Sequence, residues 1–319
     1  MNVARKCFLL GVGVQIWALY ILMSRSMLVA PTFRTRLSDD WKNRTCFIAQ
    51  MGSDGFGHQT EGKLTMIILA EMLKPNFKYV HIPYEKFEHT NVSGAEAEQF
   101  VGFGKIFANE SAAGVIKRKP IESVPHFVEN VKLGNYMCDP QTVYWGDWAF
   151  YYIYNEQFNR EVDNIIQRSA TFHKIREAYL ASPKLPLGFV HDRPNVVLHI
   201  RRGDAVRRSY PGKYFIKGME FYETYFAELG RPRPYFIVET DDPNWRSLKK
   251  LKSRFNVTIS ENISDFRPAF HRMVMADGFI ISSSSLSRAA AMLRDFRYPI
   301  VARYSRKYLD VLNSYVYME

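Results

Sequence analysis

Two adjacent arginines and an aspartate follow a short apolar stretch of this sequence. The stretch from Asn195 to Ile200 is too short for a helix and rich in β-branched residues, which predicts a buried parallel strand. Arg201, Arg202 and Asp204 come where that strand ends, and ligands of open α/β sheets bind at the carboxyl ends of strands. Paired guanidinium groups suit a phosphate, because each planar fork binds two oxygens and stays charged. The alternative is a structural Arg–Asp pair, and this stretch alone does not decide between the two.

Polar residues also follow two later strand candidates. The strand 234–238 leads into the acidic turn 239–242, and the strand 278–281 leads into the serines 282–285, which open a helix. A helix N-terminus has four unpaired amides and partial positive charge, so amides and hydroxyls there can hold phosphate. A role as the helix N-cap explains one of the four serines and leaves the other three without an explanation. Arginines and serines would clamp a diphosphate, and the acidic turn would suit ribose hydroxyls or a guanine edge, although Asp242 could instead cap the next helix.

A third candidate segment for ligand binding lies near the start of the chain. A strand at 45–50 is followed by the glycine-rich turn Gly52–Gln59 and by helical periodicity from Lys63 to Leu73. Glycines let backbone amides approach a ligand closely, but turns of this kind are common.

Strands that alternate with helices predict an α/β protein with doubly wound parallel sheets. Prolines and a glycine between 183 and 194 divide it into lobes 45–190 and 191–319, with Ile300–Ala302 as the last strand. The aromatic run 145–154 favours a core or lobe-interface cluster over a sugar-stacking platform.

The composition favours an anionic partner. The 319 residues are 47% hydrophobic and carry a formal net charge of +11. The basic residues are scattered without a basic tail, which argues against a nucleic-acid-binding arm.

The N-terminal residues predict a membrane anchor. Cys7–Met23 is uncharged and mostly apolar, so residues 1–29 are interpreted as a cytoplasmic tip and a single-pass signal anchor, and 30–44 as a stem. A signal peptide cleaved after Leu28-Val-Ala30 is the alternative.

Five sequons place the body in the lumen of the endoplasmic reticulum or Golgi, as in a type II protein. They lie at Asn43, Asn91, Asn109, Asn256 and Asn262. Cys46 and Cys138 would form one disulfide in that compartment or remain two buried thiols. No Cys or His spacing typical of a metal site is present.

Four segments together resemble the α1,2-fucosyltransferases. The segment His199–Asp204 resembles their H-x-R-R-G-D motif, which α1,6- and protein O-fucosyltransferases share more loosely. Tyr235–Trp245 is similar to their strand followed by S-D-D-x-x-W, and Phe279–Leu293 is similar to I-I-x-N-S-S-F-S-W-W-x-A-x-L. Gly55–Gln59 is similar to G-L-G-N-Q.

The resemblance implies a two-lobed GT-B glycosyltransferase that transfers fucose from GDP-fucose to a glycan or glycoprotein with inversion and without a metal or other cofactor. Arg201 would hold the β-phosphate and Arg202 would support it. The other donor-binding residues implied by the resemblance are His199, Ser283, Ser284 and Ser285, Asp241 or Asp242 beside the nucleoside, and Gly55, Gly57 and His58 from the opposite lobe.

The departures from these motifs leave alternatives open. His58 and Ser283 replace asparagines, and Arg288 and Ala289 replace the paired tryptophans. The general base is unassigned among Glu61, Asp204 and Glu220. Other readings are a protein O-fucosyltransferase, a core α1,6-type enzyme, or an inactive lectin-like or scaffold relative. The oligomeric state is not predicted.

Overall fold

The structure is a computed structural model, which describes residues 45–52, 54–87, 90–107, 117–136, 138–146, 159–203, 209–260, 265–295, 298–303 and 315–318. The predicted anchor, the stem and most of the aromatic run 145–154 lie outside the described residues, as does Asp204. No helix within the described ranges is long and apolar enough to cross a bilayer.

Within the described residues, ten strands form two parallel sheets. The first has the order β2-β1-β4-β3, with strands β1 Cys46–Gln50, β2 Phe77–Tyr79, β3 Lys117–Pro120 and β4 Thr142–Gly146. The second has the order β10-β9-β8-β5-β6-β7, with strands β5 Asn195–Ile200, β6 Tyr235–Thr240, β7 Val257–Ile259, β8 Gly278–Ile280, β9 Ile300–Arg303 and β10 Tyr315–Met318. The predicted α/β class with parallel sheets is confirmed.

Ten helices lie between these strands. They are α1 Phe56–Met72, α2 Gly94–Val101, α3 Phe103–Phe107, α4 Val124–Lys132, α5 Asn159–Arg168, α6 Ala170–Ala181, α7 Gly212–Glu228, α8 Arg246–Arg254, α9 Phe266–Met275 and α10 Ser285–Leu293. These ten are the helices of the described residues.

Alternate residues of the second sheet pack into two different cores. Val197 and Ile237 belong to a core that also contains Ile48 and Leu64 of the first sheet and α1. Their neighbours along the strands, including Val196, pack on the opposite face among residues of α7 and α8. A sheet that is covered on both faces explains why its strands read as continuous apolar runs.

The second sheet reverses its strand order between β5 and β8. The strands β6 and β7 follow on one side of β5, and β8, β9 and β10 follow on the other. The carboxyl ends of β5 and β8 are therefore neighbours at the point where doubly wound sheets bind ligands. Arg201 follows β5, and Ser282 lies just beyond β8.

The glycine-rich turn is shorter than predicted, because α1 begins at Phe56. Gly57 and His58 are therefore helical. A Cβ atom on Gly57 would lie 2.5 Å from the backbone nitrogen of Leu286. Glycine is unfavourable inside a helix, but here its missing side chain lets α1 approach α10.

Further boundaries differ from the predictions. The helices α5 and α6 are separated at Ser169, whose hydroxyl accepts a hydrogen bond from the N–H of Phe172 and caps α6. The prediction that Ile300–Ala302 is the last strand is wrong, since β10 follows it. No strand was predicted at β3 or β4, and β4 ends in the first two residues of the aromatic run 145–154.

Two features join distant parts of this chain. Cys46 and Cys138 form a disulfide whose Cα atoms are 5.9 Å apart. Phe56 at the start of α1 stacks on Phe266 at the start of α9, with ring centroids 3.9 Å apart. This stack links α1, which follows strand β1 of the first sheet, to α9, which precedes strand β8 of the second sheet.

Candidate functional site

The two predicted arginines meet the acidic turn at the carboxyl ends of β5 and β6. Ile200 pairs with Thr240, so the next residues on both strands are neighbours. The N–H of Arg202 donates to Asp241 Oδ1 at 2.7 Å, and Arg201 Nη1 lies 3.3 Å from Asp241 Oδ2. Asp241 thus orients the backbone and one guanidinium of the arginine pair.

The side chain of Arg202 contacts three other side chains. Its guanidinium lies 4.7 Å from the ring centroid of Trp245, its Nε lies 3.5 Å from Asp242 Oδ2, and its Nη1 donates to Ser209 Oγ at 3.2 Å. The side chain of Arg202 is 20% exposed and that of Arg201 is 37% exposed. Arg201 is therefore the more exposed of the two arginines.

His199 lies beneath this edge of the sheet and is buried. Its Nδ1 is hydrogen-bonded to Ser287 Oγ and, at 3.1 Å, to Ser282 Oγ. Burial and, secondarily, the positive charge of Arg201 lower the pKa of His199 to about 4, so its imidazole is neutral at pH 7. This histidine ties β5 to the serine segment, and the donor contact implied by the resemblance stays a prediction.

The serine segment forms the N-terminus of α10. Ser284 is the N-cap, and its hydroxyl accepts a hydrogen bond from the N–H of Leu286 at 3.3 Å. Ser283 and Ser285 are partly exposed beside it, whereas Ser282 is buried. Unpaired amides and the helix dipole give this end partial positive charge.

The N-terminus of α1 adjoins the N-terminus of α10. Gly55 is the N-cap of α1, and Gly57 approaches Leu286 so closely that a Cβ would not fit. The positively polarised ends of the two helices therefore lie close to each other, and α10 begins just beyond β8, the neighbour of Arg201's strand β5. An anionic group bound there would relieve the unfavourable approach of two like helix ends.

Glu61, one of the three candidate bases, is fully buried, with 0% of its surface exposed. Its Oε1 and Oε2 accept hydrogen bonds from Arg288 Nε at 2.5 Å and Nη2 at 3.0 Å. Burial raises the pKa of Glu61, and the charge of Arg288 opposes that rise. With both oxygens bound to one guanidinium, Glu61 serves as a structural anion between α1 and α10 and is not presented to a substrate hydroxyl.

The carboxylate of Asp54 and the imidazole of His58 form a second pair at the start of α1. Asp54 Oδ2 lies 3.3 Å from His58 Nδ1, and Asp54 Oδ1 accepts the N–H of Gly55 at 2.6 Å. The side chain of His58 is 8% exposed, and that of Asp54 is 49% exposed. One member of the pair, His58, is therefore nearly buried, and the other, Asp54, is exposed to solvent.

The remaining predicted residues lie apart from this site. Glu220 pairs with Arg254 on the exposed side of α7. The sequon residues Asn91 and Asn256 are exposed. Asn43, Asn109 and Asn262 lie outside the described residues.

The sequence analysis did not identify several residues that complete the site. Ser287 bonds His199, Trp245 stacks on Arg202, and Asp54 faces His58. The spacing of four between Asp54 and His58 was a usable indication once the helix was known to begin at Phe56. No group of three or more His, Cys, Asp or Glu side chains suited to a metal ion occurs among the described residues.

Three solved structures similar to this chain are glycosyltransferases. ADP-heptose LPS heptosyltransferase II of E. coli has 10% identity and a TM-score of 0.39, with 86% of this chain and 90% of that chain covered. The NodZ α-1,6-fucosyltransferase soaked with GDP-fucose has 12% identity and a TM-score of 0.38, with 79% and 93% covered. A mutant of Arabidopsis thaliana FUT1 in complex with GDP has 10% identity and a TM-score of 0.42, with 83% and 72% covered.

No family model and no curated protein matches the sequence. At identities of 10 to 12%, the likeness to these glycosyltransferases extends no further than the fold. The roles of individual residues are therefore argued from their positions in this chain.

Proposed function

We propose that this chain is an inverting glycosyltransferase that moves fucose from GDP-fucose to a glycan hydroxyl, with the α1,2 type favoured and with no metal required. The observation that carries the proposal is the position of Arg201. Its partly exposed guanidinium stands at the end of β5, where the strand order reverses, next to the segment that opens α10. A cation and two helix N-termini in one region suit a diphosphate.

The chemistry of the reaction explains why fixed positive charge is useful there. When the bond between the anomeric carbon and the β-phosphate oxygen breaks, negative charge builds on the departing diphosphate. Arg201 and the amides at the start of α10 would stabilise that charge more strongly in the transition state than in the bound donor. Asp241 would keep Arg201 in place, since it lies 3.3 Å from the guanidinium.

The identity of the donor and linkage rests on the resemblance of four segments to the α1,2-fucosyltransferases. A protein O-fucosyltransferase and a core α1,6-type enzyme use the same donor, and acceptor profiling distinguishes them. An inactive lectin-like or scaffold relative is the non-enzymatic alternative. Such a relative would bind a glycan or a partner without turning over any sugar nucleotide.

The test is release of GDP from GDP-fucose by the purified full chain, with UDP- and ADP-sugars as other donors and with EDTA present. We expect Arg201→Ala to lower the rate by about 10²- to 10³-fold, as when one charge-stabilising donor is removed from an active site. The matched control is Arg233→Ala, because Arg233 is exposed and pairs with Glu223 away from the site. No turnover of any donor and no binding of GDP by the wild-type chain would contradict the proposal.

We place the body in the lumen of the endoplasmic reticulum or Golgi as part of the same proposal. The support is the disulfide between Cys46 and Cys138 and the exposure of the sequon residues Asn91 and Asn256. The paired substitution Asn91→Gln and Asn256→Gln should remove two mobility shifts caused by glycans. An unchanged mobility after endoglycosidase treatment of the wild-type chain would contradict this location.

A further inference from the structure

Among the helices of the described residues, α8 carries the most basic side chains and no acidic one. Five of its nine residues are basic, and the other four are two leucines and two serines. Leu248 and Leu251 are buried, so the helix packs its apolar side chains inward. The α8 basic face consists of the five exposed cations, which are Arg246, Lys249, Lys250, Lys252 and Arg254. Basic residues that are scattered over most of the sequence are therefore concentrated on this one helix.

Most of this charge is not neutralised by neighbouring side chains. Arg254 pairs with Glu220 of α7, whereas the other four cations of the α8 basic face form no ion pair with a described residue. Carboxylates close to the two ends of α8 have other partners, since Glu223 pairs with Arg233 and Asp242 lies 3.5 Å from Arg202. Within the part of the chain that the structure describes, the face therefore keeps a net positive charge.

This charge pattern is unfavourable for the helix itself. Side chains three and four positions apart are neighbours on a helix, so Arg246 repels both Lys249 and Lys250. Cations in the first turn also oppose the helix dipole, and the first turn of α8 contains no acidic residue. Charges of mixed sign would keep a surface helix soluble without this repulsion. An anion that contacts several of these cations at once would relieve it.

The dimensions and composition of the face restrict the kind of partner. Its cations extend over about 12 Å of helix, so a polymer with repeated negative groups can contact more of them than one small anion can. The side chains of α8 that are not buried are basic or serine. The face therefore offers no apolar side chain to insert into a bilayer and no aromatic ring on which an unpaired base could stack.

We propose that the α8 basic face binds a sulfated polysaccharide chain. The choice of a glycan polymer rests on the proposed function, because the proposed acceptor is a glycan in a secretory lumen. Lysines suit sulfate groups, since each ammonium acts as a point charge that needs no fixed geometry. The helix begins at Arg246, directly after Trp245, whose ring lies against Arg202. A chain held along α8 would raise the local concentration of acceptor hydroxyls beside the proposed donor site.

The test is binding of fluorescently labelled heparin to the purified full chain at about 0.15 M ionic strength. We expect the triple variant Lys249→Gln, Lys250→Gln and Lys252→Gln to raise the Kd for heparin by at least about tenfold. The Kd should also depend less steeply on salt, because fewer counterions are released on binding. The rate of GDP release from GDP-fucose, with water as the acceptor, should not change.

The matched control removes the same amount of charge from β3, the other exposed basic segment. It is the triple variant Lys117→Gln, Arg118→Gln and Lys119→Gln. In β3, Lys117 lies 3.5 Å from Asp139, and Lys119 lies 5.5 Å from the ring centroid of Tyr136. We expect this variant to bind heparin within about threefold of the wild type, since salt screens charges that do not contact the polymer. Equal weakening in both triple variants would overturn the assignment to α8.

Urea unfolding shows whether the α8 variant loses binding through its fold. The variant should be at least as stable as the wild type, because glutamine and lysine have similar helix propensities and the repulsion is reduced. A less stable α8 variant would show that these cations serve the fold, and it would overturn the inference.

Other polyanions test the choice of partner. Desulfated heparin should bind more weakly than heparin. Tighter binding of polyglutamate, a DNA duplex or phosphatidylserine vesicles than of heparin would overturn the assignment to a sulfated polysaccharide. A wild-type chain that releases GDP from GDP-fucose but binds no heparin would overturn this inference alone. Heparin binding by a chain that binds no GDP and turns over no donor would overturn the proposed function alone.

Discussion

Arg288 on α10 binds both carboxylate oxygens of Glu61 on α1, across the contact between the helices that belong to the two sheets. Glu61 is fully buried, and the side chain of Arg288 is 16% exposed. A charge pair that has lost most of its water must remain complete, because either partner alone would be a buried charge without compensation. The pair therefore fixes how α1 lies against α10, and with it the position of both helix N-termini.

Removing both partners of this pair should destabilise the protein by less than the sum of the two single removals. We expect Glu61→Gln or Arg288→Gln to lower the free energy of unfolding by about 3 to 5 kcal/mol. The double variant should lose at least about 1 kcal/mol less than the sum, because two amides can pair with each other. Urea unfolding of the three variants measures this coupling. Strictly additive losses would show that the two side chains do not act as a unit.

Neutral His199 should make the stability of the protein sensitive to acid. Burial lowers its pKa from 6.5 to about 4, so the folded protein binds this proton less readily than the unfolded chain does. The resulting stabilisation is present above about pH 6.5 and is lost as the pH falls toward 4. His271, which bonds Tyr179, also has its pKa lowered to about 4 by burial and contributes in the same direction.

The comparison that isolates His199 is urea unfolding at pH 7 and pH 5. Between these values the wild-type chain should lose about 2 kcal/mol more of its unfolding free energy than His199→Gln does. His173→Gln is the control, because His173 is exposed on α6 and its replacement should leave the wild-type loss unchanged. An equal loss in His199→Gln and wild type would mean that this buried imidazole does not set the acid response.

The sequence predicted the second sheet more accurately than the site beside it. The bounds of β5 agree with the predicted strand Asn195–Ile200, because a short apolar run reports directly on burial. The contact between Glu61 and Arg288 could not be predicted, since it joins residues 227 positions apart through the packing of two sheets. The contacts of His199 with Ser282 and Ser287 could not be predicted either. The periodicity of a strand indicates which face of the sheet a residue occupies, but it does not indicate which hydroxyl groups lie opposite that residue.

The first turn of α1 shows a different limit of sequence analysis. Glycines at 55 and 57 predicted a turn, since glycine disfavours helices. The packing of α1 against α10 outweighs that preference, because only a residue without a side chain fits at 57. Local propensity therefore misplaced the start of the helix, and a contact with a distant segment determined it.

Gly57→Ala tests whether this close approach matters, because its Cβ would lie 2.5 Å from the Leu286 nitrogen, a backbone atom that cannot move aside alone. We expect a loss of about 1 to 3 kcal/mol in unfolding free energy, as in overpacked cores, and at least a tenfold weaker binding of GDP as the two helix N-termini separate. Gly55→Ala is the matched control for stability, since no atom lies within 4 Å of its Cβ position and its φ of −59° suits any residue. Urea unfolding and calorimetric titration with GDP measure the two effects. A Gly57→Ala protein as stable as Gly55→Ala, with unchanged affinity for GDP, would show that the approach of α1 to α10 does not shape an anion site.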